Sequence, residues 1–294
     1  MQANRTFLFA PGNHPRKVEK VFDAGSDVVI LDLEDAVAVS EKAATRPVVV
    51  DALQRPRHCR GYVRINALDT DFAFGDIDAV VQPGVDGIVL PKVERAADIQ
   101  MVDWMMTSLE RQRGLKIDGI DLMPIIETGK GVANARDICG AGCNRMQRVS
   151  FGAGDYTRDM AIEWTFGEGE LAHARAEIVL ASRINDLEPP IDTVFIHLRE
   201  HEHLRNTTLL ARQFGFQGKM CIHPAQVEPV NDIFTPSDDE IAWSRKVIAA
   251  FQEAEAAGSA SIQVEGYFVD YPIVVKAERT VALAEAIATA NNNG

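Results

Sequence analysis

Two carboxylates in this chain sit where a metal ion would find hard oxygen ligands. Glu127 follows the apolar run Leu122–Ile126, and Asp155 follows Val149–Phe151 across the spacer Gly152-Ala153-Gly154. With no His or Cys beside them, such a pair suits Mg²⁺, which binds through one or two carboxylates and keeps its other sites for water and substrate oxygens. The competing reading is an ion pair of these acids with Arg64 or Lys92. Arg64 ends another apolar run and carries a planar fork of donors, able to hold a carboxylate or a developing oxyanion. Glu34 and Asp35 are placed to orient Arg64 or to bind metal-bound water. Asp35 reads equally as an N-cap for the segment opening at Ala36. Lys92, after Leu90-Pro91, is a candidate Schiff-base lysine, an anion binder or a partner of Glu94. The glycines around Asp155, Gly154 among them, let backbone N–H groups approach a substrate carboxylate.

These residues share a place in the pattern. Short apolar runs recur at Thr6–Phe9, Val28–Leu33, Gly61–Ile65, Gly87–Leu90, Leu122–Ile126, Val149–Phe151, Thr193–Ile196 and Met220–Ile222. Several lack alternation, as expected of parallel strands buried on both faces. Amphipathic stretches such as Pro15–Ala24, Ala96–Arg113 and Gly169–Asn185 lie between them. Strand then helix, repeated, predicts an α/β fold of the (β/α)₈ TIM-barrel type, whose chemistry sits where strands end. A doubly wound sheet would want a glycine-rich dinucleotide turn after the first strand, which Phe9-Ala-Pro-Gly-Asn13 is not. The expected division is a catalytic barrel over 1–235 and a C-terminal helical appendage or lid over 236–294. In the appendage a helix runs from Pro236 to Ala257, a flexible break covers Gly258–Ser261, and a short apolar turn, Gly266–Pro272, precedes a last helix.

Composition narrows the classes. The 294 residues, 46% hydrophobic, are enough for one large core, and a net charge of −13 argues against a nucleic-acid surface. No long apolar run predicts a membrane span, and Met1–Pro11 reads as a first strand and not a signal peptide. Cys139 and Cys143 have poor zinc spacing, so the four cysteines read as reduced thiols of a cytoplasmic protein.

Taken in order, Arg5–Gly12, Leu31-Asp-Leu-Glu-Asp-Ala-Val37, Val63-Arg-Ile-Asn66, Leu90-Pro-Lys92, Ile125-Ile-Glu-Thr128, Phe151-Gly-Ala-Gly-Asp-Tyr156 and Ile222-His-Pro-Ala-Gln226 resemble the citrate lyase β-subunit-like branch of the HpcH/HpaI aldolase family. The resemblance covers the barrel nearly end to end. It implies Mg²⁺ held by Glu127 and Asp155, Arg64 on the oxo-acid or thioester oxygens, Glu34 in the same polar cluster, and a homotrimer or its dimer, a hexamer. It matches Asp270, within Gly266–Val274, to an aspartate that a C-terminal lid delivers to a neighbour's site. Lys92 then becomes a candidate for a CoA phosphate. One departure stands out, since the family commonly has Glu where this chain has Gly154. The implied reaction is reversible Claisen-type cleavage of a 3-hydroxyacyl-CoA into a 2-oxo acid and an acyl-CoA. An aldolase acting on a free oxo acid and a subunit acting on an acyl-carrier protein are the alternatives.

Overall fold

The structure, a computed structural model, describes residues 2–292. Residue 1 and residues 293–294, the outermost ends of the two expected segments, lie outside the described residues. Residues 4–231 form one compact unit; the segment from Asp232 onward, with the first residues of the chain, forms another.

The first unit is a closed barrel of eight parallel strands in sequence order. They are β1 (Thr6–Pro11), β2 (Val28–Asp32), β3 (Arg60–Arg64), β4 (Gly87–Leu90), β5 (Asp121–Ile126), β6 (Ser150–Phe151), β7 (Ile191–Asp192) and β8 (Gly218–Cys221). Around them run α1 (Pro15–Lys20), α2 (Lys42–Leu53), α3 (Ala73–Val80), α4 (Ala96–Arg113), α5 (Gly129–Ala133), α6 (Ala135–Cys139), α7 (Ala153–Asp159), α8 (Ala172–Ile184) and α9 (His201–Phe214), before α10 (Val227–Phe234). The TIM barrel expected from the sequence is therefore observed. Phe7, Val28, Ile30, Tyr62, Val89, Met123, Ile125, Ile191 and Met220 fill the interior, with Phe9 and Val194 packed against them. The opposite parity, Leu8, Val29, Leu31, Val63, Ile88 and Leu122, is equally buried. That double burial is why the runs do not alternate. The seam closes where Thr6 pairs with Lys219, and only glycine fits at 218, because a Cβ there would fall onto the Asn4 carbonyl.

Strand seven lies earlier than the expected Thr193–Ile196. Its ladder is Ile191–Asp192, directly after Pro189-Pro190. Asp192 is fully buried because Arg175 Nε (2.9 Å) and Lys219 Nζ (2.7 Å) neutralise it. A buried charge inside a strand escapes any search for apolar runs.

The second unit contains α11 (Asp238–Ala256), β9 (Ile262–Val264), β10 (Tyr267–Val269) and α12 (Tyr271–Asn292). Ser237 Oγ accepts from the Glu240 N–H (3.1 Å) and Glu240 returns the bond to the Ser237 N–H (2.9 Å), a capping box that starts α11. The expected apolar turn at 266–272 is instead part of an antiparallel hairpin. Val264 pairs with Tyr267 across Glu265-Gly266, both at positive φ (50° and 87°), as a tight type I′ connection requires. Val247, Phe251, Val264, Val269, Val274 and Ala277 make this unit's own core.

Candidate active site

Alternate residues of a strand face opposite ways. Extending the inward set by one step therefore carries Val28 and Ile30 to Asp32, Tyr62 to Arg64, and Met123 and Ile125 to Glu127. All three stand at the C-terminal mouth of the barrel. Asp32 and Arg64 are register partners on adjacent strands. The guanidinium grips the carboxylate with two bonds, Nε to Oδ1 (2.8 Å) and Nη2 to Oδ2 (2.6 Å). Its Nη1 lies 3.1 Å from Glu34 Oε2 and 3.7 Å from Asp35 Oδ2, and the Phe9 ring lies under it at 4.8 Å. Burial alone would raise the Asp32 pKa, but Arg64 more than offsets this and holds it below the ordinary carboxyl value. Burial would likewise lower the Arg64 pKa, and Asp32 and Glu34 raise it instead. Asp32 thus acts as the anchor of Arg64, a role that sequence reasoning left unassigned.

Lys92 takes a left-handed backbone (φ 53°), uncommon for a residue with a Cβ. Two bonds hold it there: its N–H donates to Glu127 Oε1 (2.8 Å), and its Nζ binds Glu34 Oε1. Glu94, the expected alternative partner, is engaged by Lys130 (2.8 Å) and Thr128 (3.1 Å). Glu34 is buried, which raises its pKa against the pull of Arg64 and Lys92. Asp35 is exposed and caps no helix, because residues 34–37 form a turn and the next α-helix waits until Lys42.

Glu127 is 4% exposed. It packs where Gly152 has no side chain: a Cβ there would meet Glu127 Cβ at 2.7 Å. Asp155 lies in the first turn of α7, with Oδ2 at 3.7 Å from Lys92 Nζ and Oδ1 at 2.5 Å from Arg158 Nη2. Both carboxylates therefore converge on Lys92. Burial, with the Glu34 and Asp155 charges, lifts the Glu127 pKa to about 8. A buried carboxylate with raised pKa beside a second acid is a place where a divalent cation would relieve repulsion. Among the described residues no three His, Cys, Asp or Glu side chains gather as a complete metal cage. The donors present fit a hard cation that takes two carboxylates and completes its shell from water and substrate.

The raised Glu127 pKa sets a pH dependence. The folded protein holds this proton more tightly than the unfolded chain, so stability falls as pH rises from the ordinary 4.5 to about 8 and is level beyond. Glu127→Gln keeps the acceptor for Lys92 and removes the titration. In metal-free protein it should match wild type near pH 4.5 and exceed it by up to roughly 4 kcal/mol above pH 8. Denaturant unfolding across that range checks this; parallel curves would overturn it.

Gly154 is exposed, and a Cβ there would meet only Trp164 Cζ3 at 3.7 Å, so the position is open and lacks an acid. Asp270, in the second unit, is half-buried at the N-terminus of α12, where its carbonyl accepts from the N–H groups of Ile273 and Val274 (3.1 Å each). Tyr267, Phe268 and Tyr271 beside it are exposed.

The sequence profile of the HpcH/HpaI aldolase/citrate lyase family matches residues 5–224. Citrate lyase subunit beta of Leuconostoc mesenteroides subsp. cremoris is 40% identical over 284 residues, covering 96% of this chain and 93% of that protein. The L-malyl-CoA/beta-methylmalyl-CoA lyase of Cereibacter sphaeroides is 35% identical over 306 residues, covering 97% and 95%. Among solved structures, CitE of Mycobacterium tuberculosis in complex with magnesium, acetoacetate and coenzyme A aligns with a TM-score of 0.77 at 28% identity, covering 96% of this chain and 98% of that one.

Proposed function

The chain belongs to the HpcH/HpaI aldolase/citrate lyase family of lyases, and from that premise we propose that it is a Mg²⁺-dependent enzyme cleaving or forming a 3-hydroxyacyl-CoA. The products of cleavage are a 2-oxo acid and a shorter acyl-CoA. The observation that carries this reading is the convergence of Glu127, Asp155, Arg64 and Lys92 on one barrel mouth. Mg²⁺, held by Glu127 and Asp155, would supply Lewis-acid stabilisation of negative charge on substrate oxygens.

The chain's own residues account for the rest. In cleavage the 3-hydroxyl gives its proton to solvent water as its carbon becomes the oxo acid carbonyl. The electron pair of the broken C–C bond moves to the α-carbon of the thioester, which takes up a proton. Arg64, fixed by Asp32, turns its far edge towards the oxygen on which charge develops. Glu34 holds Arg64 and Lys92 together, so the cluster is rigid before substrate arrives. Asp270 is the proton donor, delivered by the hairpin of a neighbouring copy in a homotrimer or hexamer. Its exposed aromatic neighbours offer the apolar surface such docking needs. Beyond β1, the exposed Arg16, Lys17 and Lys20 of α1 provide positive charge for the thioester's phosphates in a chain of net charge −13. No described helix is long and apolar enough to cross a membrane. The described cysteines are all free, a state a reducing compartment such as the cytoplasm preserves.

A panel of acyl-CoA and oxo-acid pairs, with and without Mg²⁺, tests the reading. Turnover only with acyl-carrier-protein thioesters would make the chain a citrate lyase-like subunit, and turnover of a free oxo acid alone would make it an aldolase. Within the panel, Arg64→Lys should lose about 10²–10³ in rate although charge is kept, because an ammonium cannot reproduce the fork. A variant within about twofold of wild type would show that Arg64 serves Asp32 and Glu34 only as a structural partner.

A further inference from the structure

The ladder between β2 and β3 breaks off just beyond Asp32. The Leu33 N–H still donates to the Arg64 carbonyl (2.9 Å). In a parallel ladder the Leu33 carbonyl would next accept from the Asn66 N–H, but that N–H donates to Asp76 Oδ2 instead (2.9 Å). Side chains take over where the sheet ends. Asn66 Nδ2 reaches the Leu33 carbonyl (3.0 Å). Lys42 Nζ, from the first residue of α2, donates to the carbonyls of Leu33 (3.1 Å) and Glu34 (2.7 Å) and to Asn66 Oδ1 (2.6 Å). Lys42 is buried, and these three acceptors satisfy all three donors of its ammonium, as burial demands. Behind them Asp76, itself buried and bound by Arg46 Nε (2.7 Å), holds Asn66 in place. The Glu34 N–H donates to Asp32 Oδ1 (2.9 Å). The peptide planes before and after Glu34 are therefore both fixed, and with them the direction of its side chain. That carboxylate lies 3.1 Å from Arg64 Nη1 and binds Lys92 Nζ.

We propose that Lys42 is a positioning residue of the barrel mouth: by holding the two main-chain carbonyls at Leu33 and Glu34 it aims the Glu34 carboxylate at Arg64 and Lys92. Its contribution to turnover rests on the function proposed above; its hold on Glu34 does not.

Hydrogen exchange on the unliganded protein tests that hold without any reaction. In Lys42→Met the two carbonyls keep Asn66 Nδ2 and the Val37 N–H as donors, so the barrel should still close. The amides of Glu34, Ala36 and Val37 should nevertheless exchange about 10–10²-fold faster, the range for losing hydrogen bonds from a charged donor. Those of Val28–Leu31 should stay within about twofold of wild type. Turnover of the thioester found by the panel above is the second arm. Lys42→Met should lower kcat about 10–10²-fold with KM within about twofold. Added to Glu34→Gln it should cost little more, because Lys42 acts through Glu34. Lys42→Arg keeps the charge but displaces its donors; it should show the same pattern at smaller amplitude, and it carries the test if Lys42→Met does not fold. Exchange unchanged at 34–37, or raised alike along β2, overturns the proposal. So does a kcat loss that multiplies in full with that of Glu34→Gln, or a lower melting temperature with kcat intact. The expected exchange pattern in a protein without thioester turnover leaves Lys42 its hold on Glu34 and removes the proposed reaction. Turnover indifferent to Lys42 does the reverse.

Discussion

Asp270→Asn should retain Mg²⁺ and acyl-CoA binding and lose about 10²–10⁴ in turnover, the usual worth of a general acid or base. The substitution keeps the size of the side chain and the backbone carbonyl that starts α12, so the fold is spared while the proton is lost. The expectation extends to assembly. If the hairpin of one copy completes the barrel of another, Asp270→Asn and Glu127→Ala subunits, each inactive alone, should recover partial activity when mixed. Sites pairing an intact barrel with an intact hairpin form only in the mixture. A turnover assay after verified subunit exchange reads this directly. No recovery would confine each site to one chain, and full activity in Asp270→Asn alone would end Asp270's role in the chemistry. A residue that merely capped the helix would instead show a lower melting temperature with turnover intact.

Glu127→Ala and Asp155→Ala should each abolish Mg²⁺-dependent turnover while the barrel stays folded, because each removes one of two proposed protein ligands. The two should differ in stability. Glu127→Ala leaves the Lys92 N–H without its acceptor at a backbone already in the left-handed region, so it should cost about 1–3 kcal/mol. Asp155→Ala removes the partner of an exposed arginine and should cost under about 1 kcal/mol. Circular dichroism melts with Mg²⁺ titrations check both, and retained Mg²⁺-dependent turnover in either variant would remove that residue from the metal site.

The barrel was legible in the sequence because burial on both faces turns each parallel strand into an apolar run that polar turns interrupt. Glu127 and Arg64 were legible for a related reason: each continues the inward parity of its strand at the point where the run ends. Asp32 was not, since it stands among Asp32-Leu33-Glu34-Asp35, and three acids within four residues look alike in a string. Only the register of β2 on β3, which sets Asp32 opposite Arg64, selects it as the anchor and leaves Asp35 in solvent. Parity along β2 offered the signal, because Asp32 falls in phase with Val28 and Ile30. Strand seven was misplaced by the opposite effect: its ladder ends on a charged residue, which an apolar search skips, and the partners that neutralise Asp192 come from α8 and β8, remote in sequence. Local residue pattern thus determined which segments are strands and which polar types stand at their ends. Tertiary structure decided which charges meet, because an ion pair depends on distances of a few ångströms between residues that the chain brings together only when the barrel closes.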